Sequence, residues 1–151
     1  MEVVLHPIGE VRSPVSGSAH VRWGAVVSEL HFTEGFGPGL AGIEQFSHLL
    51  VVFFMHQAPY FAQRNLLRRP GGRPDMPQLG IFAQRAPSRP NALGVSVVRL
   101  LARRQGRLVV KGLDALDGSP VLDVKPYFAG FDRAEAATEP EWVSRFMRGY
   151  F

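Results

Sequence analysis

The chain of 151 residues contains no cysteine. That excludes disulfides and thiolate metal sites and is compatible with a reducing compartment. Long apolar runs are missing too. The longest, Leu49 to Met55, falls far short of the roughly 20 residues that cross a bilayer. The opening Met-Glu-Val-Val-Leu-His-Pro has no basic region followed by an apolar one, so no secretory signal is expected and the cytoplasm is the expected location. No G-x-G-x-x-G follows a strand, no Walker loop occurs, and no Ser-His-Asp pattern carries a nucleophile elbow. A doubly wound nucleotide-binding sheet is therefore not expected. Lysine is scarce, with 2 against 15 arginines.

The apolar content of 46% over this length predicts one domain spanning residues 1–151 around a single core. Charge is unevenly spread. From Arg64 to Arg107 there are ten arginines against one acid, Asp75, whereas the rest of the chain holds seven basic and twelve acidic residues. Such a segment suits a polyanion, because guanidinium geometry matches phosphate. The other explanation is a GC-rich genome that prefers arginine to lysine, with the excess simply solvated.

Strand signals dominate. Glu2 to Ile8, Trp23 to Phe32, Ser47 to His56, Leu79 to Gln84, Val95 to Ala102, Arg107 to Leu113 and Val121 to Phe128 are short and mostly bounded by Gly or Pro. Their spacing predicts a mainly β fold, a small closed or nearly closed barrel. Tyr60 to Arg69 has the mixed polarity of a short helix, and the Pro/Gly-rich stretch after it reads as loop. Near the C-terminus, Thr138 and Glu141 have capping-box spacing, and Trp142, Phe146 and Tyr150 recur every four residues. These predict a C-terminal α-helix whose aromatic stripe is buried on its own barrel or on a second subunit.

Between Gly80 and Leu100, two apolar runs flank a loop with Arg85, Arg89 and Asn91, stiffened by Pro87 and Pro90. Gly94 lets the backbone re-enter a strand or approach a ligand closely. The loop reads either as a ligand-facing element or as a solvated turn. His48 and His56 lie at opposite ends of one strand, about 26 Å apart, so no single metal binds both and no metal site is expected. His56-Gln57, before Pro59, project polar atoms from a barrel rim or simply meet water. Asp117-Gly118-Ser119-Pro120 predicts a hairpin turn feeding the last strand. Alternation there places Asp123, Lys125 and Tyr127 on one face, as a ligand-holding row or a structural ion pair. Pro126 predicts an edge or a bulge.

The pieces Pro7 to Pro14, Gly42 to Leu49, Phe54 to Gln57, Gly80 to Gly94 and Asp117 to Tyr127, in this order, resemble the TsaA/TrmO (YaeB-like) family of S-adenosylmethionine-dependent tRNA methyltransferases. The resemblance covers nearly the whole chain. It implies a small β-barrel that forms a homodimer, binds S-adenosylmethionine, and methylates N6 of threonylcarbamoyl-adenosine next to the tRNA anticodon. Carried over by motif, the donor pocket uses Arg85, Val95, His56, Gln57 and the turn Asp117, Gly118, Ser119 and Pro120. The family's Pro-Arg-Gln segment falls at Val21-Arg22-Trp23, where only the arginine is kept. The chain also ends in the aromatic helix rather than the extra C-terminal domain of longer bacterial members, as in a shorter branch.

A carbamoylated N6 is a poor nucleophile, so loss of its proton should assist attack. Asp123 is the expected base or orienting carboxylate, Lys125 holds acceptor oxygens, and His56 is the alternative base. Arg89 and Asn91 are assigned to loop shape and the acceptor side. Two other functions remain open: a non-catalytic module that binds S-adenosylmethionine or RNA, and a methyltransferase with a non-tRNA acceptor.

Overall fold

A computed structural model describes residues 1–17, 20–59 and 66–151. Six strands close a barrel in the order β1-β2-β7-β6-β3-β8, every neighbouring pair antiparallel. They are β1 (Gly9–Arg12), β2 (Val27–Phe32), β3 (His48–Phe54), β6 (Leu93–Arg104), β7 (Arg107–Lys111) and β8 (Pro120–Pro126). A separate ribbon pairs β4 (Leu67–Arg68) with β5 (Leu79–Gly80). Two short helices follow the barrel, α1 (Ala129–Asp132) and α2 (Glu141–Phe146).

Alternation builds the core. On β3, Leu49, Val51 and Phe53 point inward and are buried, while His48, Leu50 and Val52 are half-exposed. Val11, Leu30, Val98, Leu108, Val110 and Val121 complete the interior. Each such aliphatic side chain contributes about 1.5–3 kcal/mol by leaving water. Closure leaves no free edge on the main sheet. The β6–β7 hairpin turns through Gln105 and Gly106, whose φ of 65° only glycine adopts freely.

Several expectations shift. Residues 2–8 form no strand; β1 begins at Gly9, although Ile8 still donates to the Val121 carbonyl and accepts from Thr33. Trp23–Ala25 and Ile81–Ala83 are single 310 turns, so their strands are shorter than the apolar runs. Of the proposed helix at Tyr60 to Arg69, residues 60–65 lie outside the described residues, and Leu67–Arg68 is strand. The capping box does not form. Pro140 occupies the N-cap of α2 without a side-chain bond, and the helix has only 6 residues.

The Asp117-Gly118 turn is not a hairpin, because β8 pairs with β1 and β3 rather than with β7. It is docked on the end of β1. Asp117 accepts from the Ser13 N–H at 2.9 Å, and the Gly118 N–H donates to Val11 at 2.9 Å. Strict alternation in β8 also fails. Val52 pairs with Asp123 but Phe53 with Val121, so Leu122 is a bulge. Pro126 ends β8, where its missing donor matters least.

Candidate active site

A cleft of about 1610 Å³ opens where three parts of the chain meet: the barrel mouth, the loop through Phe82 to Asn91, and α2 with the chain end. It is partly open to solvent and exceeds the roughly 300–1,000 Å³ of an ordinary small-molecule pocket. Of the residues singled out in the sequence, Trp23, His56, Gln57, Arg85, Val95 and Ser119 line it together, as do Arg89 and Asn91.

Each is placed by local structure. Arg85 donates from Nη2 to the Val95 carbonyl at 2.8 Å, which ties the loop to β6. Arg89 donates to the Gln84 carbonyl at 2.9 Å, so it shapes the loop. His56 follows β3, and its Nδ1 lies 3.3 Å from the hydroxyl of Ser119, which is buried. Gln57 reaches across to the Ser16 carbonyl at 3.2 Å. Gly94 answers a packing need: a Cβ there would sit 2.3 Å from the Phe53 ring. Gly94 also lines the cleft, so it both accommodates a core aromatic and leaves the backbone open there.

Other expected residues do not reach the cleft. Val21, Arg22, Asp117, Gly118 and Pro120 are not among its lining. Gly118 nevertheless adjoins His56, with room for a Cβ in ordinary contact at 3.7 Å from Nε2, and its φ of 79° is what favours glycine there. Asp123 and Lys125 pair with each other at 2.6 Å, well exposed and outside the cleft. The bulge at Leu122 resets the alternation, so Val121 and Val124 take the core side. Asp123 holds the Lys125 ammonium above the ordinary lysine range, through their hydrogen bond first and charge second. Tyr127 continues this row, opposite His48 on the neighbouring strand, whose ring it meets edge-on. His48 and His56 are at opposite ends of β3, and no three potential metal ligands cluster among the described residues.

In the most built part of the cleft, the sequence marked Tyr150 only as one of an aromatic stripe and did not single out its partner Asp114. Asp114 accepts from the Tyr150 hydroxyl at 2.6 Å and from the Ser96 hydroxyl. Burial first, then the Asp114 charge and hydrogen bond, pushes the Tyr150 phenol far above its ordinary pKa, while the Arg85 charge opposes this. The Trp23 backbone N–H donates to the Tyr150 carbonyl at 2.7 Å, fastening the chain end. The aromatic stripe of α2 is accordingly half-buried along the cleft: Trp142, Phe146 and Met147 line it with Tyr150. A usable signal existed in Leu113-Asp114-Ala115, an acid between two buried apolar residues.

The arginine-rich segment divides. Arg68, Arg85 and Arg89 line the cleft, whereas Arg103 and Arg107 at the far hairpin pair with Glu44 and Glu29. Arg73 pairs with Asp75, and Arg69 donates to the Met76 carbonyl.

A family model for the tRNA-methyltransferase O N-terminal domain matches residues 16–133. The chain belongs to that family. The crystal structure of TrmO from Pseudomonas aeruginosa is similar, with a TM-score of 0.76 at 35% identity over 94% of this chain. This chain spans only 62% of that one. An Archaeoglobus fulgidus relative named S-adenosyl-L-methionine-binding protein is 38% identical over 135 residues, 86% of this chain and 93% of its own. A human tRNA (adenine(37)-N6)-methyltransferase is 36% identical over 101 residues, 67% of this chain but 22% of the human protein. Five of the six barrel strands and the Arg85 loop fall inside the family match, while β1, α2 and Tyr150 fall outside it.

Proposed function

We propose that this protein is an S-adenosylmethionine-dependent methyltransferase acting on N6 of an adenosine, with threonylcarbamoyl-adenosine next to the tRNA anticodon as acceptor. One observation carries this function: Trp23, His56, Arg85, Val95 and Ser119, far apart in the chain, line one cleft in a TrmO-family barrel. The residues suit a charged nucleoside. Trp23 and Phe82 offer ring surface, and Arg85 keeps guanidinium nitrogens beyond the one bound to Val95. When bound, S-adenosylmethionine supplies a methyl group activated by a positive sulfur.

The chain's own contribution is mostly positioning within the cleft. His56 is the group assigned to take the N6 proton. This role requires the tautomer in which Nδ1–H donates to Ser119 and Nε2 is left to accept. Asp123 and Lys125 neutralise one another outside the cleft and receive no part in proton transfer. Arg68 and Arg89 present positive charge at the mouth for an acceptor phosphate.

A homodimer is part of the same proposal. The outer faces of the adjacent strands β6 and β3 expose Leu93, Val95, Val97, Leu101 and Phe54, and Leu93 and Val95 also line the cleft. A second copy on that face would cover apolar surface and narrow the cleft together. The site of action is the cytoplasm, where tRNA is modified. Among the described residues no helix is long and apolar enough to cross a membrane.

The decisive experiment mixes purified protein, labelled S-adenosylmethionine and tRNA bearing threonylcarbamoyl-adenosine, then digests the RNA to nucleosides. Label on the modified adenosine is the expected result. Donor binding without transfer to any RNA would instead favour a non-catalytic binding module, the alternative that the Archaeoglobus relative's name favours. Transfer to a small molecule or protein would point to a different acceptor.

A further inference from the structure

Among the described residues two carboxylates line the cleft, Glu139 and Asp114. Glu139 is exposed in the connection before α2. Asp114 is half-buried and held on both oxygens, with Ser96 donating to Oδ1 and Tyr150 to Oδ2 at 2.6 Å. Its neighbours Leu113 and Ala115 are buried in the core, so its backbone is anchored. No Lys, Arg or His among the described residues forms an ion pair with it. Arg85, on the same cleft, gives Nη2 to the Val95 carbonyl instead.

Two hydroxyl donors stabilise a carboxylate in its ionised form without cancelling its charge. A half-buried anion left so pays desolvation that a cationic ligand would offset. The charge also acts more strongly in a partly dry cleft than in water. The proposed donor carries a positive sulfur, and the product left after transfer carries a neutral one. That single charge is the largest electrostatic difference between them.

We propose that Asp114, braced by Ser96 and Tyr150, reads the positive sulfur and makes the cleft hold S-adenosylmethionine in preference to S-adenosylhomocysteine. This assignment rests on the donor occupying this cleft. It gives the anionic cluster a role in specificity: the same residue that attracts the donor has no matching attraction for the product, which then leaves.

Titration calorimetry on the full chain with each nucleoside tests it. The unaltered protein should bind S-adenosylmethionine at least about tenfold more tightly than S-adenosylhomocysteine. Asp114→Asn should weaken S-adenosylmethionine binding by at least about tenfold and leave S-adenosylhomocysteine within about threefold. Tyr150→Phe keeps the carboxylate and should keep the preference, which provides a second variant if Asp114→Asn folds poorly. Equal affinity of the unaltered protein for both nucleosides overturns the assignment. So does a loss in Asp114→Asn that is the same for both, because Asp114 would then contact a group they share. Binding of neither nucleoside defeats the donor itself, a result distinct from losing discrimination alone.

Discussion

His56 stands at the rim with a buried hydroxyl behind its Nδ1, whereas Asp123 is already matched by Lys125 at 2.6 Å. The two therefore make opposite kinetic predictions. In single-turnover assays at saturating donor, His56→Gln should slow transfer by about 10²–10⁴-fold, the range for loss of a general base. Asp123→Asn should stay within about threefold of the unaltered rate, and a large drop there would return the carboxylate to the mechanism. Tyr150 titrates in the other sense from a carboxylate. Burial and Asp114 raise its folded pKa, so its phenol stays protonated above the ordinary value of about 10. The stability it contributes is complete below that value and is lost as pH rises toward the folded pKa, because the unfolded phenol ionises first. Absorbance at tyrosinate wavelengths should show one phenol ionising late, and Tyr150→Phe should remove that late step.

At the scale of elements, the seam between β3 and β6 depends on one missing methyl group. Gly94 pairs with Phe53 across the strands, and the Phe53 ring fills the place of a side chain. Gly94→Ala should cost about 1–3 kcal/mol in urea unfolding, the range for overpacking. Adding Phe53→Leu should recover part of that loss, giving a coupling between the two sites. An unchanged midpoint for Gly94→Ala would mean that the ring moves aside freely. The helix α2 is a different kind of element. Its 6 residues are too few to be stable alone, so it owes its place to contacts. Phe146 packs on Gly71, Arg145 reaches the Asp75 carbonyl at 3.3 Å, and Tyr150 fastens the end at Asp114.

For the whole molecule, charge and apolar surface point to separate partners. If Arg68 and Arg89 each meet a phosphate, the logarithm of tRNA affinity should fall against log salt with a slope of roughly −1.4 to −1.8. A flat dependence would return these arginines to solvent and loop shape. The far hairpin arginines should matter less, because Arg103 and Arg107 already face Glu44 and Glu29. The β6 is 12 residues long, so about 36 Å separates its two ends, and the two arginine groups are distinct sites for mutagenesis. Sedimentation at micromolar concentration should show a dimer, and a charge placed at Val97, such as Val97→Glu, should shift it to monomer. A monomer before mutation would remove the β6–β3 face from the proposal.

Sequence alone determined what rests on local periodicity and backbone chemistry. Alternating apolar runs specified the barrel strands, Gly and Pro marked most of their ends, and the ordered motifs pointed to the family. Arg85, His56 and Ser119 were visible because their segments carry those motifs. Tertiary structure alone decided which of these side chains share a space. Strand periodicity assumes an unbroken count of two, so it puts Asp123 and Lys125 on one outer face, where they pair, but it cannot show the bulge at Leu122 that turns Val121 inward. Hydrogen bonds such as Tyr150 to Asp114 join residues 36 apart, and no local pattern encodes them. The cleft is made by such long-range meetings, and these depend on barrel closure rather than on any one segment.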